Sequence, residues 1–130
     1  MRMLTPAEES EDAPEVNWED QQRINSFSKF NTRSKDLEET LEKRKEEREA
    51  LDDLSTELEL ADENQPVLYK VGETFLHVSV SKALTLLASH QITLEKDING
   101  LQERLGECTT EMTNLKIVLY AKFGKAINLD

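Results

Sequence analysis

The stretch YKVGETFLHVS, Tyr69 to Ser79, interrupts a chain that otherwise reads as helix. β-Branched and aromatic residues flank Gly72-Glu73, the pattern of two short strands around a two-residue turn. Val67, Leu68, Tyr69 and Val71 make the first strand, and Thr74, Phe75, Leu76 and Val78 the second. Two helices can reverse through a few loop residues, so the ribbon is not needed for the turn itself. A lone two-stranded ribbon is marginal in water and leaves two open edges. This one also carries apolar residues on both faces. It is therefore expected to pair with ribbons of other chains, closing a barrel that removes the edges and buries both faces.

Outward from the ribbon lie two long helical segments. Before it, residues 17–62 contain no Gly or Pro, and ENQP at 63–66 ends them because Pro66 forces Gln65 to be extended. Asn17 is the expected N-cap, with Asp20 partly imitating a capping box and Trp18 expected to pack near the cap. Ile24, Phe27, Phe30, Leu37 and Leu41, then Leu51, Leu54, Leu58 and Ala61, give a coiled-coil rhythm with a gap. The gap, EKRKEERE at 42–49, is charged all round; pairs such as Glu39 with Lys43 and covering Arg and Lys stems sustain it.

After the ribbon, residues 79–128 read as the second helix, capped by Ser79 or Ser81. Its seam is Leu84, Leu87, Gln91, Leu94, Ile98, Leu101, Leu105, Cys108, Met112, Leu115, Leu119 and Lys122. The steps alternate three and four throughout, which predicts a left-handed coiled coil. Gly100 and Gly106 lie off this seam. Each helix would span roughly 65–75 Å, so near-equal lengths predict an antiparallel pair whose outer ends meet at one tip. The expected fold is mostly α: a long antiparallel coiled coil with a central β-hairpin that joins an intersubunit β-barrel. The expected boundaries are helix 17–62, hairpin 67–78 and helix 79–128 within one domain, 17–130. Residues 1–16, with five acids and two prolines, are expected to be a disordered acidic tail.

The totals exclude several function classes. The 130 residues are 33% charged, with 27 acids against 16 bases and a formal charge of −11. That balance disfavours nucleic acid and anionic membranes, which require clustered Lys and Arg. No run approaches the ~18 apolar residues of a membrane span. The single Cys108 allows no internal disulfide and sits on the seam as a core residue. No leader segment is apparent, and a cytoplasmic location, with room for a nuclear pool, is the default. His77 and His90 have no Cys or carboxylate partner by spacing, DINGLQE at 97–103 lacks calcium-ligand spacing, and no glycine-rich phosphate loop exists. No catalytic group, cofactor or metal site is therefore expected.

Helix, β-hairpin, helix is also the plan of a prefoldin subunit. The chain resembles a β-class member through WEDQQRIN at 18–25, LADEN at 60–64, YKVGETF at 69–75 and LKIVLYAKFGKAINL at 115–129. The resemblance implies a co-chaperone of six chains, two α-class and four β-class, whose hairpins build a barrel platform from which coiled coils project. It implies ATP-independent capture of unfolded polypeptides, actin and tubulin among them, and delivery to the cytosolic chaperonin. Partners would then be two α-class and three further β-class subunits, the clients and the chaperonin.

On that reading the assembly site is Val67, Leu68, Tyr69, Val71, Gly72, Phe75, Leu76 and Val78. The client-binding tip is Ile24, Phe27, Phe30, Leu119, Tyr120, Phe123 and Ile127, with Leu129 nearby. The same tip residues would equally serve as a plug that stops the helix ends from fraying, and the sequence leaves both roles open. Glu19 and Asp20 are either contacts for basic client segments or ordinary first-turn acids. A coiled-coil tether without chaperone activity would explain the heptads but not the apolar ribbon.

Overall fold

The computed structural model describes residues 14–130; the acidic tail expected at 1–16 lies mostly outside them. In chain order there are α1 (Trp18–Glu59), β1 (Val67–Val71), β2 (Thr74–Val78) and α2 (Val80–Phe123), followed by a 3₁₀ turn, Gly124–Ala126. The helix–hairpin–helix plan predicted from the sequence is the observed one. Two compact units divide the chain. A terminal unit combines the residues up to Glu38 with Glu103–Asp130, and a hairpin unit comprises Glu39–Gln102.

Both helices are shorter than expected, for local reasons. α1 stops at Glu59 rather than Asp62. Its last turn holds no base, so Glu57 and Glu59 face the negative end of the helix dipole unassisted. The chain then tightens, with Ala61 N–H donating to Leu58 O, and Asp62 Oδ1 captures the amide of Asn64 at 3.0 Å. α2 begins at Val80 because Ser79 is its cap, its Oγ accepting from the amide of Lys82 at 3.1 Å. It ends at Phe123 rather than residue 128, since Gly124 takes a positive φ of 53° and turns the chain out of the helix.

In the hairpin unit, α2 buries Val80, Ala83, Leu87, Leu94, Ile98 and Leu101. The seam therefore starts on Val80 and Ala83, with Leu84 only partly buried. On α1, Leu41 and Leu58 are buried and Leu51 and Leu54 are partly so. The charged gap between them is not featureless. Arg44 Nε reaches Asp97 at 3.3 Å, Arg48 reaches Glu95 at 3.2 Å, and Gln91 donates to Asp52 at 3.1 Å. His90 Nε2 lies 3.1 Å from Glu47, so His90 does have a carboxylate partner, brought from the other helix rather than by sequence spacing. These pairs are largely solvated and set register more than stability. The intrahelical Glu39–Lys43 pair forms as expected, at 3.4 Å.

Gly106, in the terminal unit, has open space where a Cβ would stand. Gly106→Ala is expected to stabilise α2 by about 1 kcal/mol, because it removes backbone entropy without a clash. A rise in the thermal midpoint checks this, and an unchanged midpoint would mean that this part of α2 is not limiting.

Candidate functional site

The hairpin pairs in strict register: Val67 with Val78, Leu68 with His77, Tyr69 with Leu76, Lys70 with Phe75 and Val71 with Thr74. Gly72 takes a φ of 62°, which the two-residue turn requires and which an L side chain rarely adopts. Residues paired across the ladder share a face. One face holds Val67, Tyr69, Val71, Leu76 and Val78. Its inner part is a seat on the helices: Tyr69 packs with Leu58, Ala83 and Leu87, with Val67 and Val78 beside them. Burial pushes the Tyr69 phenol pKa upward. Of the predicted assembly residues, Tyr69, Val67 and Val78 thus anchor the ribbon to its own chain.

The remaining assembly residues face solvent. Leu68 and Phe75 are 58% and 57% exposed on the second face, while Leu76 and Val71 are exposed on the first. Lys70 lies 5.9 Å from the Phe75 ring centroid and partly covers it. Between the ribbon and α1, Leu51, Leu54, Leu58, Leu68 and Phe75 line an open groove of about 520 Å³. Among the described residues the ribbon pairs with no further strand, and it exposes two apolar side chains on each face: Leu68 and Phe75 on one, Val71 and Leu76 on the other.

The terminal unit gathers the predicted tip residues differently. Phe27, Leu119, Phe123 and Leu129 form a buried cluster, with Ile24, Met112, Leu115, Tyr120, Ala126 and Ile127 packed against it. Phe30 stands apart, half-buried, with Arg33 over its ring at 5.6 Å. Among the described residues, the exposed large apolar groups of this unit are Val16, Trp18, Ile117 and Val118; Trp18 is 72% and Ile117 64% exposed. Trp18 was expected to pack near its cap and instead stands in water. Ile117 and Val118 belong to LKIVLYAKF, where three apolar residues in succession exceed what a seam can use; that excess was the available signal for an exposed patch.

Polar contacts lock the beginning of α1 onto the end of α2. Asn17 and Asp20 complete a reciprocal capping box: Asp20 N–H donates to Asn17 Oδ1 at 2.8 Å and Asn17 N–H to Asp20 Oδ2 at 3.2 Å. Asp20 is only 2% exposed and also accepts from Arg23 and from Lys122 of α2. It is thus committed within the unit, whereas Glu19 remains exposed. The hydrogen bond from Lys122 holds the Asp20 carboxyl below its ordinary range, helped by Asn17 and Arg23, while burial opposes the shift.

A depressed carboxyl pKa contributes stability that is complete above the unfolded value of 3.8 and is lost as pH falls through the lower folded value. Below that window the ends of α1 and α2 are expected to loosen. Asp20→Asn should lower the melting temperature at neutral pH and flatten the acid limb of the melting curve. An acid limb identical in both proteins would place the titration elsewhere.

Among the described residues no helix is long and apolar enough to cross a membrane. The sequence profile of the family described as prefoldin subunit matches residues 21–126. The chain is 41% identical over 116 residues to prefoldin subunit 4 of Saccharomyces cerevisiae, covering 89% of this chain and 90% of that protein. It is 33% identical to prefoldin subunit 4 of Homo sapiens, covering 88% and 87%. The fold is similar to the crystal structure of the prefoldin beta subunit from Thermococcus strain KS-1, with a TM-score of 0.74 at 15% identity, covering 85% of this chain and 96% of that one.

Proposed function

The chain belongs to the prefoldin subunit family, and on that premise we propose that it is one arm of a six-chain, ATP-independent co-chaperone of the cytoplasm. Residues 17–130 act as the family domain, and the chain joins two α-class and three further β-class subunits through its ribbon. The assembly holds unfolded polypeptides of the actin and tubulin type and passes them to the cytosolic chaperonin. It performs no catalysis and uses no cofactor. The observation that carries the reading is the ribbon, which exposes Leu68, Val71, Phe75 and Leu76 on both faces and which a self-sufficient coiled coil would not need.

Client contact falls on the terminal unit. Trp18, Ile117 and Val118 present apolar surface without rearrangement, and Ile24, Phe30, Tyr120 and Ile127 add half-buried flanks. Phe27, Leu119 and Phe123 are the core on which these flanks rest. One exposed side chain buried on a client yields ~1.5–3 kcal/mol before the cost of ordering a flexible chain. A single arm therefore holds weakly, and several arms acting together hold by avidity.

Native mass measurement on co-expressed subunits should give a six-chain assembly, whereas a stable homodimer would favour a simple tether. Trp18→Ser, Ile117→Ser and Val118→Ser together should leave assembly unchanged, since none lies in the hairpin unit. They should weaken suppression of client aggregation several-fold. Full suppression by intact mutant complexes would assign the grip to other arms.

A further inference from the structure

The geometry points to a binding site for short extended peptides in the terminal unit, filled in this structure by the chain's own Ile127–Asp130 acting as an internal ligand. After Gly124 turns the chain, Ile127 is extended, with φ −130° and ψ 143°. From there burial alternates. Ile127 is partly buried, Asn128 exposed, Leu129 3% exposed and Asp130 exposed. This is the period of two of an extended strand with one face on an apolar surface. Leu129 enters the cluster of Phe27, Leu119 and Phe123. Its amide donates to the Tyr120 hydroxyl at 3.2 Å, and Asp130 Oδ1 pairs with Lys116 Nζ at 3.1 Å.

Each of these contacts is available to any peptide of the same pattern. The groove reads two apolar side chains two residues apart, one backbone N–H, and a carboxylate just after the second apolar residue. Unfolded chains present such segments and folded chains rarely do. The outer end of the internal segment is lightly fastened, because the Asp130 side chain is 81% exposed and its ion pair with Lys116 is solvated, whereas Leu129 is held in the cluster and Asn128 by a backbone bridge. It is nevertheless tethered, at an effective concentration on the order of millimolar. A free peptide therefore meets only the open fraction of sites, and its apparent affinity falls by that fraction. The inference rests on the client-holding reading only for its biological meaning; the peptide site stands on its own.

The test uses assembled complexes carrying either the full chain or a chain ending at Ala126. The probe is a fluorescein-labelled peptide Ala-Ile-Asn-Leu-Asp on a Gly-Ser linker, with a control in which Ser replaces Ile and Leu. Anisotropy should show the shortened arm binding the probe at least tenfold more tightly than the full arm, and the control not at all. Leu129→Ser in the full chain leaves every groove residue in place. It should raise probe affinity several-fold, and it decides the matter if the shortened chain does not assemble. Equal binding by all forms, or by none, overturns the site. Aggregation suppression is measured on the same complexes. Suppression without probe binding removes the groove and keeps the co-chaperone, while probe binding without suppression does the reverse.

Discussion

A chain carrying Phe75→Asp and Leu76→Asp is expected to fold and yet be missing from the purified oligomer. Both side chains are about half in water in the single chain, so neither aspartate is buried by folding alone. Phe75 pairs across the ladder with Lys70, which gives one new carboxylate a local partner. The two substitutions lie on different faces of the ribbon, so no single packing geometry of the barrel avoids both. Burying an unpaired carboxylate against apolar neighbours costs several kcal/mol after relaxation. The carboxylate at position 76 has no such local partner, and its penalty adds to the loss of the Phe75 and Leu76 apolar contacts. Circular dichroism should retain the helical signal, while co-purification with partner subunits falls to background. Normal incorporation of the double variant would sink the barrel reading, and Glu73→Ala, at the turn, serves as the neutral comparison.

The second helix was legible because its burial follows spacing and hydrophobicity together: Leu87, Leu94, Ile98, Leu101, Cys108 and Leu119 are all buried where the three-four rhythm put them. The first helix was only half legible, because there spacing and hydrophobicity part company. The rhythm continues through Ser34, Arg44, Arg48 and Ser55, between Phe27 and Leu58. Ser34 is buried, and the two arginines occupy seam positions with their heads turned to Asp97 and Glu95. Counting apolar residues saw a gap there, whereas counting intervals would have found an unbroken seam.

Gly124 was hidden for a different reason. The apolar pattern runs past it into Ile127 and Leu129, which pack as an extended strap rather than as a further turn of the seam. The site was harder still to read. Hydrophobicity alone cannot separate Phe27 and Leu119, which meet each other, from Ile117 and Val118, which meet water; the phase of each residue on its helix decides.

That phase difference sets the sharpest stability contrast in the chain. Leu119→Ala is expected to destabilise the protein by about 2–5 kcal/mol, the range for a fully buried leucine whose surroundings cannot collapse. Leu119 has no exposed surface and touches the cluster that joins α1, α2 and the C-terminal strap, so the loss falls on three segments at once. Against a total folding free energy of about 5–15 kcal/mol, that is a large share. Ile117→Ala, two residues away but largely in solvent, should change stability by no more than about 0.5 kcal/mol. Thermal melting compares the two, and hydrogen exchange shows where the loss acts. Protection should fall first at residues 18–30 and 112–129, leaving the hairpin unit nearly unchanged. If Leu119→Ala melts like the parent chain, the cluster is not a core. Phe27, Leu119 and Phe123 would then return to the surface available to clients, and the division between holding residues and plug would have to be redrawn.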